Sequence, residues 1–233
     1  HVPSNPPMSS FAAASRFVRR RLLRWQSRQP GPEGRDDDGG DPATIAPGVA
    51  IAYRCNLCGT ANRNTLAELA RESPTCSCCG STVRTRAMGY LVVREVLGRA
   101  AALPDLTPRP DLVGIGLTDA DAYARPLSTA FAYENTWFHT EPRVDITQID
   151  ASREARYDFV ISSDVFEHVL PPVNRAFVDE RRMLKPNGKF IFTVPFNLEA
   201  QTTEHFPDLH DWSMAEVDGT WTLTNVTADG RTQ

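Results

Sequence analysis

Four of the five cysteines have the spacing of a metal site. They form the pattern C-x2-C-x17-C-x2-C and are Cys55, Cys58, Cys76 and Cys79. Two short chelating pairs joined by a longer arm are what a tetrahedral site with four sulfur ligands requires. The pattern predicts a structural zinc site, because four thiolates leave no open coordination position; the alternative is reduced thiols or disulfides. Cys78 is predicted to lie outside the site.

Polar residues follow an apolar run in the second half of the chain. The run YDFVIS is followed by Ser163 and Asp164, and then by Glu167 and His168. A histidine near neutral pH can act as a general base, and carboxylates beside it can orient a bound ligand. A second apolar run, DLVGIG, ends at Gly116, where the missing side chain lets a backbone approach a ligand.

Apolar runs alternate with amphipathic segments beyond residue 111. The predicted strands are DLVGIG, NTWFHT, YDFVISS and KFIFTVPF, and the predicted helices are DADAYARPLSTAF and PPVNRAFVDERRML, the latter opened by Pro171 and Pro172 and carrying Val173, Phe177 and Leu184 on its apolar side. This order indicates a parallel sheet covered by helices on both faces. The strands of such a sheet end at one edge, where ligands bind, so the polar residues that follow them are predicted to meet.

The bulk properties fit one good-sized domain with a small appendage. The chain has 233 residues, 41% of them hydrophobic, and a formal net charge of −4. We predict a basic tail and linker over 1–50, a zinc-ribbon over 51–83, a connecting helix over 84–110 and an α/β domain over 111–233. The Arg-rich segment 15–28 has the composition of a solvated tail, with a targeting or membrane-surface helix as the alternative. No apolar run approaches the length of a membrane span.

The segment 157–196 resembles the class I S-adenosylmethionine-dependent methyltransferases. The resemblance lies in the polar pair Ser162–Ser163, in Asp164, in Glu167–His168, in LKPNG at 184–188 and in Val194–Pro195. It implies a Rossmann-like α/β methyltransferase sheet. Together with the cysteine segment, the chain is similar to bacterial zinc-ribbon methyltransferase-like proteins that accompany glycan-assembly genes. That similarity implies methyl transfer to a sugar or glycan-related small molecule in the cytoplasm.

The resemblance also implies roles for individual residues. Glu141 would accept hydrogen bonds from the ribose of S-adenosylmethionine, and Asp145, or else Asp150, would lie near the adenine. The remaining cofactor-binding residues would be Gly114, Gly116, Thr118 and Ser163. His168 would be the general base beside Asp164 and Glu167, the alternative being a cap or packing role at the next helix.

The first loop departs from the family pattern. Gly114 stands where the family has an acid, and Thr118 and Ala120 stand where it has further glycines. This departure favours an alternative function, a non-catalytic methyltransferase-like binding module. A second alternative is an RNA methyltransferase, which the acidic balance and the absence of a basic stripe near the cysteines argue against. Asp164 and Glu167 with His205 and His210 also resemble the metal site of metal-dependent RNA end-methyltransferases.

The segment GTWTLTNVTADGRTQ at 219–233 predicts one strand and the turn of a hairpin whose partner strand is missing. A methyltransferase sheet ending there would be incomplete at its C-terminal side, as expected of a fragment.

Overall fold

The computed structural model describes residues 48–197, 199–218 and 220–232. Most of the predicted tail and linker, residues 1–47, therefore lies outside the described residues. The helices are α1 (Val83–Leu97), α2 (Asp121–Ala130) and α3 (Asn174–Met183). The strands are β1 (Ala50–Arg54), β2 (Ala61–Thr65), β3 (Arg109–Leu117), β4 (Phe131–Thr136), β5 (Tyr157–Ser163), β6 (Leu184–Thr193), β7 (Asp211–Val217) and β8 (Thr220–Val226).

Four parallel strands form the central sheet in the order β4-β3-β5-β6. This α/β arrangement is consistent with a Rossmann-like methyltransferase sheet. The middle of each inner strand, residues 113–117 of β3 and 159–161 of β5, is apolar because both faces of the sheet are covered there. The sheet thus has the parallel order that alternating strands and helices predict.

The cysteine segment is built on a hairpin followed by a helix. Strands β1 and β2 pair antiparallel, and α1 begins after the second cysteine pair. The Thr82 side chain caps α1 by accepting a hydrogen bond from the amide of Thr85. The Thr85 hydroxyl in turn accepts a hydrogen bond from the amide of Thr82. Gly98 ends the helix in a left-handed conformation with φ 68°.

The core has two parts, one on each face of the sheet. On one face, α1 and α2 pack with the cysteine segment against Phe159 and Ile161 of β5. On the other face, α3 packs against Val160 of β5 and Ile115 of β3. The cysteine segment and the parallel sheet therefore share one continuous apolar cluster.

The second strand of the sheet begins earlier than the sequence predicts. The prediction was NTWFHT, whereas β4 covers FAYENT and ends at Thr136. Helix α2 ends at Ala130, and Phe131 enters the strand directly with extended backbone angles. The ring of Phe131 packs edge-on against Phe159 at 5.4 Å between centroids, and Tyr133 stacks on the same ring. This packing places residues 131–136 in the strand, whereas the sequence pattern alone favours residues 135–140.

Helix α3 buries a different side from the one that its apolar residues predict. It begins at Asn174, after Pro171 and Pro172, and its buried residues are Ala176, Asp179, Glu180 and Met183. Val173 and Phe177 are 42% and 41% exposed. Leu184, assigned to the helix from its spacing, is the first residue of β6.

The C-terminal strand has a partner, contrary to the prediction of a missing one. Strand β8 pairs antiparallel with β7, which precedes it in the chain. The TADG segment forms a second turn, in which the Gly230 amide donates to the Thr227 carbonyl at 2.8 Å. The alternation of polar and apolar residues in β7 covers only DWSM and breaks at Ala215, which makes it a weak strand signal.

Within residues 48–197, 199–218 and 220–232, none of the helices combines the length and apolar character needed to span a membrane.

The buried carboxyl of Glu180 predicts a pH-dependent stability. Glu180 is 4% exposed, and its Oε1 atom has no hydrogen-bond partner among the described residues. Burial raises the pKa of this carboxyl to about 8, although the charge of Arg181 opposes the rise. The folded protein therefore keeps a proton that the unfolded chain releases above its ordinary pKa of 4.5. Stability is then lost as the pH rises from 4.5 to about 8.

We expect Glu180→Gln to remove this loss. Its free energy of unfolding should exceed that of the wild type by about 4 to 5 kcal/mol near pH 8.5 and should match it near pH 4.5. Urea unfolding at both pH values measures the difference. Glu95→Gln, at a more exposed carboxylate of α1, is the control and should leave the pH dependence unchanged. If the free energy of unfolding of Glu180→Gln falls with pH as much as that of the wild type, Glu180 is not the group responsible for the loss.

Candidate functional site

The strand order defines one crevice at the carboxyl edge of the sheet. From β3 the chain forms β4 on one side of β3 and then returns to form β5 on the other side. Ligands of open parallel sheets bind outside the strand ends at such a reversal of strand order. Leu117 pairs with Ser162, so Thr118 and Ser163 continue two neighbouring strands into this crevice. We call this region the switch point.

The loop after β3 is held tightly to the end of β4. Thr118 has a left-handed φ of 58°, and its amide donates to the Thr136 carbonyl at 2.7 Å. The Asp119 amide donates to Oδ1 of Asn135 at 2.9 Å, and Nδ2 of Asn135 donates to the Asp119 carbonyl at 2.8 Å. The loop therefore has a defined conformation without the glycines that are usual there.

The side chain of Asp119 turns inward from this loop. It is 6% exposed and accepts hydrogen bonds from the hydroxyls of Tyr123, at 2.6 Å, and Tyr133. Burial raises the pKa of Asp119 to about 7, although both hydroxyls and the charge of Arg84 favour the ionised form. The carboxyl thus changes its charge near neutral pH while lying directly beneath the switch point.

Both glycines of β3 are needed for side-chain packing. A Cβ atom at Gly116 would lie 1.9 Å from the Tyr133 hydroxyl and 2.1 Å from Oδ2 of Asp119. A Cβ atom at Gly114 would lie 2.1 Å from the ring of Phe159. These distances are far below van der Waals contact, so each position requires glycine on packing grounds alone. A cofactor contact of Gly114 or Gly116 stays a prediction.

The end of β5 carries a dense polar network. Oγ of Ser163 accepts a hydrogen bond from Arg84 at 2.6 Å and shares another with the hydroxyl of Thr193 at 2.9 Å. Asp164 has a left-handed φ of 55°, and its amide donates to the Thr193 carbonyl at 2.9 Å. The Thr193 hydroxyl also reaches Oδ1 of Asp164 at 3.0 Å. The ends of β5 and β6 are therefore joined through these side chains.

Two guanidinium groups hold the carboxylate of Asp164. Arg71 donates to Oδ1 at 2.7 Å, and Nε of Arg84 lies 3.3 Å from Oδ2. Burial alone would raise the pKa of Asp164, but the bonds from Arg71 and Thr193 and the charge of Arg84 lower it below its ordinary value. Asp164 is therefore an ionised, well-bonded carboxylate, better suited to positioning a ligand than to accepting a proton.

Glu72 completes the network. It accepts two hydrogen bonds from Arg84, at 2.7 and 2.9 Å, and one from Arg71 at 2.6 Å. From the sequence, Arg71 was one of several scattered arginines, and Arg84 and Glu72 carried no signal. All three residues are far from Asp164 in the sequence, Arg71 by 93 positions, so only the fold brings them together. The cationic part of the site was therefore missed.

Glu167 and His168 lie on a short 3-10 helix beyond the end of β5. Glu167 is partly buried, and its Oε2 atom has no hydrogen-bond partner in the described part of the chain. The His168 side chain is 66% exposed, with Nε2 3.9 Å from Oε1 of Glu167. Its ring lies 4.9 Å from the ring of His205, between centroids. The imidazole is thus open to an incoming molecule and has a carboxylate beside it.

The two acids assigned to the ribose and adenine lie in the segment after β4. Glu141 is exposed, and its Oε2 atom accepts from the amide of Arg143 at 2.9 Å. Oδ1 of Asp145 accepts from the amide and hydroxyl of Thr147, at 2.8 and 2.7 Å. Neither acid is hydrogen-bonded to the network around Asp164 in the described residues, so their cofactor roles stay predictions.

The four predicted cysteine ligands come together. Their Sγ atoms all lie within 4.8 Å of one another, with Cys55 to Cys79 at 3.8 Å and Cys58 to Cys76 at 3.5 Å. A tetrahedral zinc site with bonds of about 2.3 Å separates its sulfurs by about 3.8 Å, so the cluster has the size of such a site. Cys78 is exposed and lies outside the cluster.

Backbone hydrogen bonds shape the two cysteine turns. The amide of Gly59 donates to the Cys55 carbonyl at 2.8 Å, and the amide of Gly80 donates to the Cys76 carbonyl at 3.0 Å. Burial opposes ionisation of Cys76, but the amides of Cys79 and Cys78 outweigh it and lower the pKa of this thiol to about 6. The second turn thus favours the thiolate at Cys76, the form that binds metal, whereas burial raises the pKa of the Cys79 thiol to about 12.

No other group of metal-binding side chains is gathered within the residues that the structure describes. The hypothetical metal site formed by Asp164, Glu167, His205 and His210 is therefore absent from that part of the chain. Asp164 is occupied by arginines instead.

Comparison with protein families assigns the region that surrounds the switch point. Residues 117–192 match a family model described as a methyltransferase domain. The match runs from the end of β3 to β6 and includes the residues of the network at Ser163 and Asp164. Comparison with curated proteins gives no match. The matched region is similar to a methyltransferase domain and lies on a parallel α/β sheet, which supports S-adenosylmethionine-dependent methylation as its general chemistry.

Proposed function

We propose that the protein transfers a methyl group from S-adenosylmethionine to a sugar or glycan-related small molecule. The observation that supports this most is the position of Ser163 and Asp164. They follow β5 at the switch point, inside the region that matches the methyltransferase domain. Ligands of open parallel sheets bind at this place, so the polar residues there are the ones expected to contact the cofactor.

The side chains at the switch point fit the charged groups of the cofactor. S-adenosylmethionine carries an ammonium, a sulfonium and a carboxylate, and Asp164 and Arg84 offer charges of both signs. Ser163 and Thr118 add hydroxyl groups at the two neighbouring strand ends. In this proposal Glu141 accepts from the ribose and Asp145 lies near the adenine, as the family resemblance implies.

His168 is the proposed general base. When bound, S-adenosylmethionine supplies an electrophilic methyl group. The exposed imidazole of His168 would take the proton from an acceptor hydroxyl at Nε2. The carboxylate of Glu167 lies 3.9 Å from this nitrogen. Alignment contributes most of the rate in such a transfer, so a modest base suffices.

Exposed rings near the strand ends support a sugar acceptor. Trp137 and Phe138 follow β4 and are 36% and 50% exposed, and Phe196 beyond β6 is 77% exposed. Flat apolar rings pack well against the C–H faces of a sugar. The arginines of the switch point are already paired with carboxylates, which disfavours a phosphate-rich partner such as RNA.

The buried Asp119 supports a second candidate function, a non-catalytic methyltransferase-like module. Its carboxyl and the Tyr133 hydroxyl fill the space beside Gly116 where a more open glycine loop would leave room. In this alternative the switch point binds a ligand without methyl transfer, and the cysteine segment contributes to partner binding.

A zinc ion at the four cysteines is part of the proposal. The sulfur spacings of 3.5 and 3.8 Å fit tetrahedral coordination, and the closed ligand set points to a structural role. Free thiols of this kind fit a reducing compartment, and the proposal places the protein in the cytoplasm.

We expect titration calorimetry of the full chain to detect binding of S-adenosylhomocysteine. Glu141→Ala should weaken binding about ten- to hundredfold, because it removes a carboxylate that accepts from the ribose hydroxyls. Glu95→Ala, on the outer side of α1, is the matched control and should bind like the wild type. An absence of heat for the wild type at high micromolar concentrations would refute the methyltransferase proposal. Unchanged affinity in Glu141→Ala would refute only the ribose assignment.

Acceptor class and catalysis are tested together by transfer of a labelled methyl group. Nucleotide sugars, free sugars and RNA are offered to the wild type and to His168→Gln. We expect transfer to a sugar-containing acceptor, and His168→Gln should reduce the rate about a hundredfold while leaving cofactor affinity unchanged. Cofactor binding without transfer to any acceptor would favour the non-catalytic module.

Metal analysis should find about one zinc ion per chain. Cys58→Ser should lose the metal and lower the unfolding temperature, because the cluster then lacks a thiolate ligand. Cys78→Ser, at the exposed cysteine outside the cluster, is the matched control and should keep both the metal and the stability. A folded wild-type protein without metal would refute the zinc proposal.

A further inference from the structure

The cysteine segment contributes a charged side chain to the switch point. Arg71 lies between the two cysteine pairs, and its guanidinium donates to Oδ1 of Asp164 at 2.7 Å. Its side chain is 30% exposed and that of Asp164 is 22% exposed, so the pair is partly shielded from solvent. The contact joins residues that are 93 positions apart in the chain.

The second cysteine turn fixes the position of Arg71 relative to Arg84. The Arg84 amide donates to the Arg71 carbonyl at 3.1 Å, which closes a loop containing Cys76 and Cys79. Inside that loop, the amides of Thr75 and Cys76 both donate to the Ser81 carbonyl, at 3.0 and 3.2 Å. The two arginines therefore stand at the base of the turn that carries two metal ligands.

Glu72 holds the two guanidinium groups side by side. It pairs with Arg71 at 2.6 Å and with Arg84 at 2.7 Å, and both arginines then reach Asp164. Arg84 also donates to Ser163 at 2.6 Å. Asp164 has a left-handed φ of 55°, a conformation that few residues adopt without supporting contacts. The arginines supply that support from outside the sheet.

We infer that Arg71 is a positioning residue through which the cysteine site controls the switch point. Closure of the four-cysteine cluster fixes the conformation of the second cysteine turn. That turn fixes the positions of Arg71 and Arg84, and the two arginines orient Asp164 and Ser163. Loss of the metal or of Arg71 then loosens the end of β5 without removing any residue of the sheet. The inference rests on the proposed function only where cofactor affinity is the measurement.

The first test is hydrogen exchange on the metal-loaded chain, comparing Arg71→Gln with Arg63→Gln. Arg63 is an exposed arginine of β2 and serves as the matched control. The Asp164 amide donates to the Thr193 carbonyl. In Arg71→Gln, the protection factor of this amide should fall roughly three- to thirtyfold. The buried Ile161 amide should keep its protection, and the metal content should stay unchanged. Arg71→Lys should fall between the two, because it keeps the charge and loses the fork of donors.

The second test separates the inference from the proposed function. Where the wild type binds S-adenosylhomocysteine, Arg71→Gln should weaken its affinity roughly three- to thirtyfold. In the Asp164→Asn background the same change should have little further effect, because the interaction is already lost. If the wild type does not bind this probe, the methyltransferase proposal fails and the exchange measurement still decides the inference.

Two results would overturn the inference. One is protection and affinity in Arg71→Gln equal to those of Arg63→Gln. The other is a uniform loss of protection across the sheet, Ile161 included, which would make Arg71 a general stabilising residue. Should Arg71→Gln fail to fold, Arg71→Lys gives the same comparison, since a side chain that keeps its charge disturbs the turn less.

Discussion

The parallel pairing of β3 with β5 is the constraint on which the rest of the structure depends. Gly114 lies opposite Phe159, and the absence of a side chain at Gly114 makes room for that ring. The ring then receives Phe131 and Tyr133 from the neighbouring strand. Because β4 lies on the far side of β3, this pairing also creates the reversal of strand order where the polar residues collect.

The charges at the switch point come from two segments that are far apart in the chain. Asp164 and Ser163 follow a strand of the sheet, whereas Arg71 and Arg84 belong to the cysteine segment and the helix after it. The shared apolar cluster explains why these parts hold their relative position. A single packed core brings the cysteine segment within hydrogen-bonding distance of the switch point.

Two buried carboxyls make the chain sensitive to pH on both faces of the sheet. Asp119 belongs to the loop after β3 and points inward, with a pKa raised by burial to about 7, and Glu180 lies on the buried side of α3, with a pKa raised by burial to about 8. Asp119 is bonded to two tyrosines, whereas one oxygen of Glu180 lacks a partner among the described residues. Asp119 is therefore part of the hydrogen-bonded structure beside the switch point, whereas Glu180 lowers the stability of the fold as the pH rises.

The sequence by itself determined the features that depend on local spacing. The four cysteines and the strand YDFVISS follow from short-range patterns, as does the similarity of 157–196 to methyltransferases. Tertiary structure alone decided the start of β4 at Phe131, the buried side of α3 and the pairing of β8 with β7. It also decided that Arg71 and Arg84 hold Asp164, because contacts between distant residues depend on packing that no local pattern encodes.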